Sequence, residues 1–216
     1  MSRPARVVLI VVSILFGLAH VASGQSQAYF DYSSSTDLVL IDYSVEFRKI
    51  AEEDRSVNIR VFGDGYVELH RPFWQLKSGS YSIQLSPDEV QTLLDELLAS
   101  GALHFDPMET RTKCLDEDKR RLKNLGQETG ISADTWMYLS VRVDGFQRAD
   151  SASVEGPVDQ QIAWRNLEWS SDNYPGIQAL KGLRAAARSL DSLWQHQGLT
   201  GLEGPGAAVL RSGEQP

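Results

Sequence analysis

Between residues 37 and 47 the chain alternates. Val39, Ile41, Tyr43, Val45 and Phe47 fall on one side, and Leu38, Leu40, Asp42, Ser44 and Glu46 on the other. A period of two predicts a half-buried strand. Residues 57–70 read as a hairpin, with two alternating runs flanking Gly63-Asp64-Gly65. A two-residue loop would set Val61 opposite Glu68 and mix apolar with charged side chains on one face. A three-residue loop pairs Phe62 with Tyr66, Val61 with Val67 and Ile59 with Leu69, which keeps one face apolar. Gly65 then supplies the left-handed position such a loop needs. The other face carries Arg60 across from Glu68 and Asn58 across from His70. Tyr81, Ile83 and Leu85 alternate again and predict a further strand.

The period then changes to that of a helix. Ser86 stands at an N-cap, Pro87 at the first helical position and Glu89 three residues after the cap, a capping-box pattern. Val90, Leu93, Leu94, Leu97 and Leu98 make one stripe, and Gly101 is placed to close the helix. Residues 108–131 are dense in charge and read as an exposed helix or an insertion. Met137, Leu139, Val141 and Val143 return to a period of two. Asp144-Gly145 turns the chain, 151–159 reads as loop, and Ile162 with Trp164 favours a strand. A last helical stripe runs through Ile177, Leu180, Leu183, Ala187, Leu190 and Trp194. Strands then helix, twice over with short turns, predict an α+β fold. Two main helices would pack on one face of an antiparallel sheet, with a charged insertion at 108–131.

The stretch IRVFGDGYV at 59–67, then LSPDEVQTLL at 85–94, then Gly101 and Phe105, resembles a bacterial exported family known only as a domain of unknown function. The likeness spans Val39 to Leu193. It implies a hairpin, a strand, a helix ending in Gly, and a last strand pair with a helix. It implies no catalytic residues.

The N-terminus sets the expected compartment. Residues 1–6 are short and basic, 7–22 are almost wholly apolar, and Ala22-Ser23-Gly24 offers small residues for cleavage. This is the pattern of a secretory signal peptide at 1–24, and the expected location is periplasmic or secreted. An uncleaved membrane anchor is the rival reading, although the apolar run is shorter than the roughly 20 residues that span a bilayer. The expected organisation continues with a polar linker at 25–36, one domain at 37–197 and a disordered tail at 198–216. Of the 21 basic side chains, Arg3 and Arg6 fall in the leader, leaving 19 against 29 acidic ones. That balance excludes a general nucleic-acid binder and disfavours adsorption to anionic lipid. The lone Cys114 rules out an internal disulfide framework and any Cys-based zinc cluster.

Signatures of chemistry are few. The chain contains no H-E-x-x-H, G-x-S-x-G, Walker A, G-x-G-x-x-G, S-x-x-K or EF-hand pattern. No catalytic residue, metal ligand or cofactor is therefore assigned. A metal site from His70, His104 and a carboxylate is the competing arrangement, which the spacing does not support. The Lys119, Arg120, Arg121 and Lys123 cluster reads as a solvated face balanced by Asp116, Glu117 and Asp118. The aromatic set says more. Phe62 and Tyr66 are expected on the hairpin face away from the core, with Phe73 and Trp74 in the next loop. Beside Arg60, Glu68 and His70 they would form a binding patch. Alternatively, Phe73 and Trp74 fold over the sheet edge as a small satellite core. The expected function is a non-catalytic binding module for an envelope protein or a surface polymer. A weak hydrolase or metal-dependent enzyme, or a membrane-tethered structural domain, are the alternatives.

Overall fold

A computed structural model describes residues 28–51, 53–125, 134–148 and 150–202. The strands are β1 (Tyr29–Asp31), β2 (Val39–Phe47), β3 (Ser56–Phe62), β4 (Tyr66–Arg71), β5 (Gly79–Gln84), β6 (Thr135–Val143), β7 (Gly145–Gln147), β8 (Val154–Glu155), β9 (Val158–Arg165) and β10 (Thr200–Gly201). The helices are α1 (Pro87–Ala99), α2 (Pro107–Leu125), α3 (Leu167–Asn173) and α4 (Gln178–Ser192). Seven strands form one antiparallel sheet in the order β10-β5-β4-β3-β2-β6-β9, and β1, β7 and β8 form a small second sheet. The fold is α+β, with α1 and α4 on one face of the large sheet. Their buried side chains, Val90, Leu94 and Leu97 of α1 and Leu180, Leu183 and Leu190 of α4, share one core with Ile41, Ile59, Val67, Leu139 and Ile162.

The hairpin register is the one that keeps a face apolar. Ile59 pairs with Leu69, Val61 with Val67, Arg60 with Glu68 and Asn58 with His70. Gly65 adopts φ 81° and its N–H donates to the Phe62 carbonyl at 3.0 Å. α1 carries the full capping box. Ser86 Oγ accepts from the Glu89 N–H, and Glu89 accepts from the Ser86 N–H at 2.7 Å. Gly101, at φ 79°, follows the last turn in the left-handed region.

Several expectations need correction. In β2 the alternation slips, because the register shifts between Val39 and Ile41. Leu40 and Ile41 are both buried as a result, so Leu40 does not belong to the open side. The segment expected to be a polar linker contains β1, whose Phe30 is buried and stacks on Phe146 at 5.4 Å. The expected loop at 151–159 contains β8 and the start of β9. The chain after Asp144 does not fold straight back on β6, because β7 pairs with β1 and β8. The segment expected to be a tail contributes β10, which pairs Thr200 with Ser82 and Gly201 with Tyr81. The leader at 1–24 and the remainder of the tail lie outside the described residues.

The charged stretch as far as Leu125 forms α2, which is docked, and 126–131 lie outside the described residues. Thr110 is buried, and Cys114, Glu117, Asp118 and Arg121 are half-buried. These positions recur at helical spacing, so they form one stripe made of polar groups. The stripe makes specific contacts. Asp118 accepts from the Tyr174 hydroxyl at 2.9 Å, and Arg121 donates to the Asn173 carbonyl. Beside the stripe, Arg111 donates to the Ala163 carbonyl of β9 at 3.3 Å. Met108, Leu115 and Leu122 lie exposed.

Candidate functional site

The residues expected to form a hairpin patch divide into three settings. Arg60, Glu68 and His70 lie on the sheet face opposite α1 and α4, half-exposed among polar neighbours. Arg60 forms an ion pair with Asp42 at 3.6 Å. Phe62 is the correction: it is 4% exposed, with its ring centroid 6.0 Å from that of Tyr66. The backbone at Ser33–Ser35 lies against the neighbouring Gly63, where a Cβ would meet the Ser33 carbonyl at 2.1 Å. Tyr66 is half-buried.

Phe73 and Trp74 behave differently from one another. Phe73 is exposed, as is Leu76. Trp74 is half-buried, edge-on to Phe47 at 4.9 Å, and its indole N–H donates to the Asp54 carbonyl at 3.2 Å. Trp74 is therefore part of a satellite cluster, and only Phe73 remains on the surface. His70 and His104 are not brought together. His70 contacts Asp54 and Ser80, whereas His104 contacts Arg148 at 3.1 Å. Among the described residues no group of three or more His, Cys, Asp or Glu could hold a metal ion.

A concave region with convergent polar groups lies elsewhere. α4 covers the sheet unevenly: on the helix side Val45 and Phe47 near the end of β2 are half-buried, whereas Tyr43, Val57 and Met137 beside them are buried. Tyr43, Val45, Phe47, Val57 and Met137 floor a groove of about 540 Å³. One wall is Asn166 to Trp169 at the start of α3, and the other is Arg184, Ala187, Arg188 and Asp191 of α4. Val57 and Asp191 also line an adjoining hollow of about 450 Å³, next to Arg71, Tyr81 and Trp194. The two concavities thus meet at Asp191. Apolar floors with a few polar groups are the usual chemistry of ligand seats.

The charges in the groove are unevenly satisfied. Arg184 is held by an ion pair with Asp172. Arg71 stacks over the Trp194 ring at 4.1 Å. Asp191 has its carboxyl pushed up to about 6, chiefly by loss of hydration, with Glu168 adding to the rise and Arg71 opposing it. Tyr43 is buried beneath, and its phenol is held well above its ordinary range by the same loss of hydration and by the charges of Asp191 and Glu168. Perturbed titration inside a cleft is a mark of functional sites.

Asn166 is the second unusual group. It is 2% exposed, adopts φ 52° and precedes α3 without a side-chain capping bond. Its Oδ1 accepts from the Thr135 N–H at 2.9 Å and from the Thr135 hydroxyl at 3.3 Å, which fixes the amide orientation. Its Nδ2 is buried and has no acceptor among the described residues, and the same holds for Arg184 Nε. Buried donors of this kind are uncommon in folded proteins, and so is a left-handed Asn in place of Gly.

Comparison with protein-family models, curated proteins and solved structures finds no match. Among the described residues no helix is long and apolar enough to cross a membrane.

The groove was not foreseen from the sequence. Its acids, Glu168, Asp172 and Asp191, come from two separate helices, and Tyr43 comes from an early strand. The one local signal was Asn166, a turn-forming residue directly after a strand and ahead of Leu167 and Trp169.

Proposed function

We propose that this chain is a non-catalytic binding module, exported from the cell, whose ligand seat is the groove between α3, α4 and the open end of the sheet. The observation that carries this reading is the groove itself, with a largely apolar floor, the carboxylates of Glu168, Asp172 and Asp191, and two buried donors without acceptors among the described residues. Such a floor gains free energy when a ligand covers it, at roughly 25 cal/mol per Å² of apolar area removed from water. The leader-like pattern at 1–24 supports export. The resemblance at 59–67 and 85–94 to an exported family supports the same compartment.

The expected hairpin patch contributes less to this reading. Of its aromatics, Phe62 and Trp74 are engaged in packing, whereas Phe73 remains available at the rim with Leu76. The test is a fragment screen by two-dimensional NMR on the isotope-labelled chain. Binding in the groove shifts the amide signals of Val45, Leu167, Ala187 and Asp191 together. Shifts confined to Phe73 and Leu76 would move the seat to the hairpin rim and overturn the assignment. Mass analysis of the protein secreted by its host tests export, which predicts loss of residues 1–24.

A further inference from the structure

Independently of the groove, we propose that α2 is a dimerisation helix, whose outer face packs antiparallel against α2 of a second copy of this chain. Met108, Leu115 and Leu122 stand seven residues apart, an interval that returns to nearly the same side of a helix. They are 70%, 59% and 54% exposed. Eight large apolar side chains lie exposed among the described residues, and three of them form this one stripe. The docked stripe through Thr110, Cys114 and Arg121 lies roughly a third of a turn away round the helix, so the body of the domain leaves the outer stripe uncovered. Aligned exposed apolar groups of this kind mark a contact surface.

Charge names the occupant. The chain has a net charge of −8, which makes copies of it repel one another in general. α2 departs from that balance, with six basic side chains against four acidic ones in Pro107–Leu125. A two-fold axis at Leu115 sets that residue against its own copy and Met108 against Leu122, so the apolar stripe matches itself. On one flank of the seam, Lys119 and Lys123 of one copy then stand within two residues, about 3 Å along the axis, of level with Glu109 of the other. On the other flank, Arg111 of one copy stands one residue from level with Asp118 of the other. Arg111 and Asp118 keep their contacts within the chain, to the Ala163 carbonyl and the Tyr174 hydroxyl. Asp116 comes nearest its own copy, and Lys119 of the same chain offsets that charge at 3.2 Å. A parallel, in-register pair would instead set every charge against its like, Lys123 on Lys123 and Glu109 on Glu109. The pattern therefore favours one orientation as well as one partner.

The pairing is weak. A single pair of 19-residue helices, about 28 Å long, falls short of the roughly 1,200 Å² at which ordinary specific interfaces begin.

The test is sedimentation velocity on the full chain at low salt, from about 10 μM to about 1 mM. The sedimentation coefficient is expected to rise with concentration towards that of a dimer. Leu115→Glu places a charge in the seam and is expected to weaken association about ten-fold or more, with an unchanged circular dichroism spectrum because Leu115 is exposed. Lys123→Glu and Glu109→Lys each set like charges together across the seam and weaken it about five-fold. Mixed in equal amounts, these two variants pair with opposite charges at both ends and associate more tightly than either does alone. A monomer at every concentration would overturn the proposal and leave the stripe to a partner other than this chain. Association that survives Leu115→Glu uses another face, and a mixture no tighter than its components excludes the antiparallel register; either result would overturn it too.

Discussion

The Asp54 carboxylate clasps His70, with Oδ1 lying 2.7 Å from Nε2, while its Oδ2 accepts from the Phe73 N–H at 3.2 Å. The Asp54 carbonyl takes the Trp74 indole N–H. One residue therefore ties the loop before β3 to the loop after β4. The groups are partly exposed, so the pair itself is screened by water. Asp54→Ala is expected to cost about 1 kcal/mol, read by urea unfolding, and to speed proteolysis within 72–78. Cleavage at an unchanged rate would show that the clasp does not order the loop.

Phe62 and Phe73 give a direct comparison. Phe62→Ala removes a buried ring and is expected to cost about 3 kcal/mol. Phe73→Ala removes an exposed one and should stay within about 0.5 kcal/mol. Trp74→Ala lies between, at about 2 kcal/mol, because it loses the edge contact with Phe47 and the bond to Asp54. The order Phe62, Trp74, Phe73 in denaturant midpoints is the expected result.

Gly182 tests how closely α1 and α4 approach. Alanine is ordinarily better than glycine inside a helix by about 1 kcal/mol. Here a Cβ would meet the Ser100 carbonyl oxygen at 2.0 Å, and that oxygen belongs to backbone. The clash outweighs the propensity gain, so Gly182→Ala is expected to destabilise by about 1–3 kcal/mol. Unchanged or raised stability in thermal unfolding would show that the helices can separate freely.

Asp191 makes stability depend on pH in a stated direction. Its folded carboxyl is raised to about 6, above the value near 3.9 of an unfolded Asp. Between those values the folded state binds more protons than the unfolded one, so this residue's contribution to stability falls as pH rises from about 4 to 6. Asp191→Asn removes that loss. The variant is expected to gain stability at pH 7.5, by no more than about 1 kcal/mol because the carboxyl remains open to water on one side, and to gain little at pH 4. Paired melts at the two pH values check the sign.

Cys114 lies on the docked side of α2. Burial pushes its thiol up, with the charge of Asp118 adding to the rise. The reactive thiolate is therefore scarce at neutral pH. Modification by a thiol reagent is expected to be slow in the native protein and to speed up sharply in urea.

What could be read from the sequence follows from how local the determinants are. The β3–β4 register was readable because a one-residue slip would have moved every apolar side chain to the wrong face. α1 was readable because its stripe and its Ser86–Glu89 box agree. The docking of α2 was hidden because its contact stripe is polar, and hydrophobic periodicity does not detect Thr110, Asp118 and Arg121. β1 was hidden because a single apolar ring, Phe30, anchors it within a polar segment. Phe62 was misplaced because its pairing with Val39 at the register shift of β2 lies outside the hairpin's own pattern. The groove was hidden because it is a place where packing stops, and no sequence pattern marks an uncovered end of a sheet.

A long antiparallel sheet has two outer strands whose spare backbone groups invite further chains to add on. Here β10 lies along β5, and the Leu202 N–H extends that contact to the Ser80 carbonyl at 2.8 Å. On the other side Arg111 of α2 occupies the Ala163 carbonyl, and Gln160 turns its amide to the Phe105 carbonyl at 2.8 Å. Both margins are thus partly occupied by the chain's own later or inserted pieces. Removing either piece should leave the bared strand prone to ordered aggregation, a hazard that other proteins avoid with charge or proline at the same place.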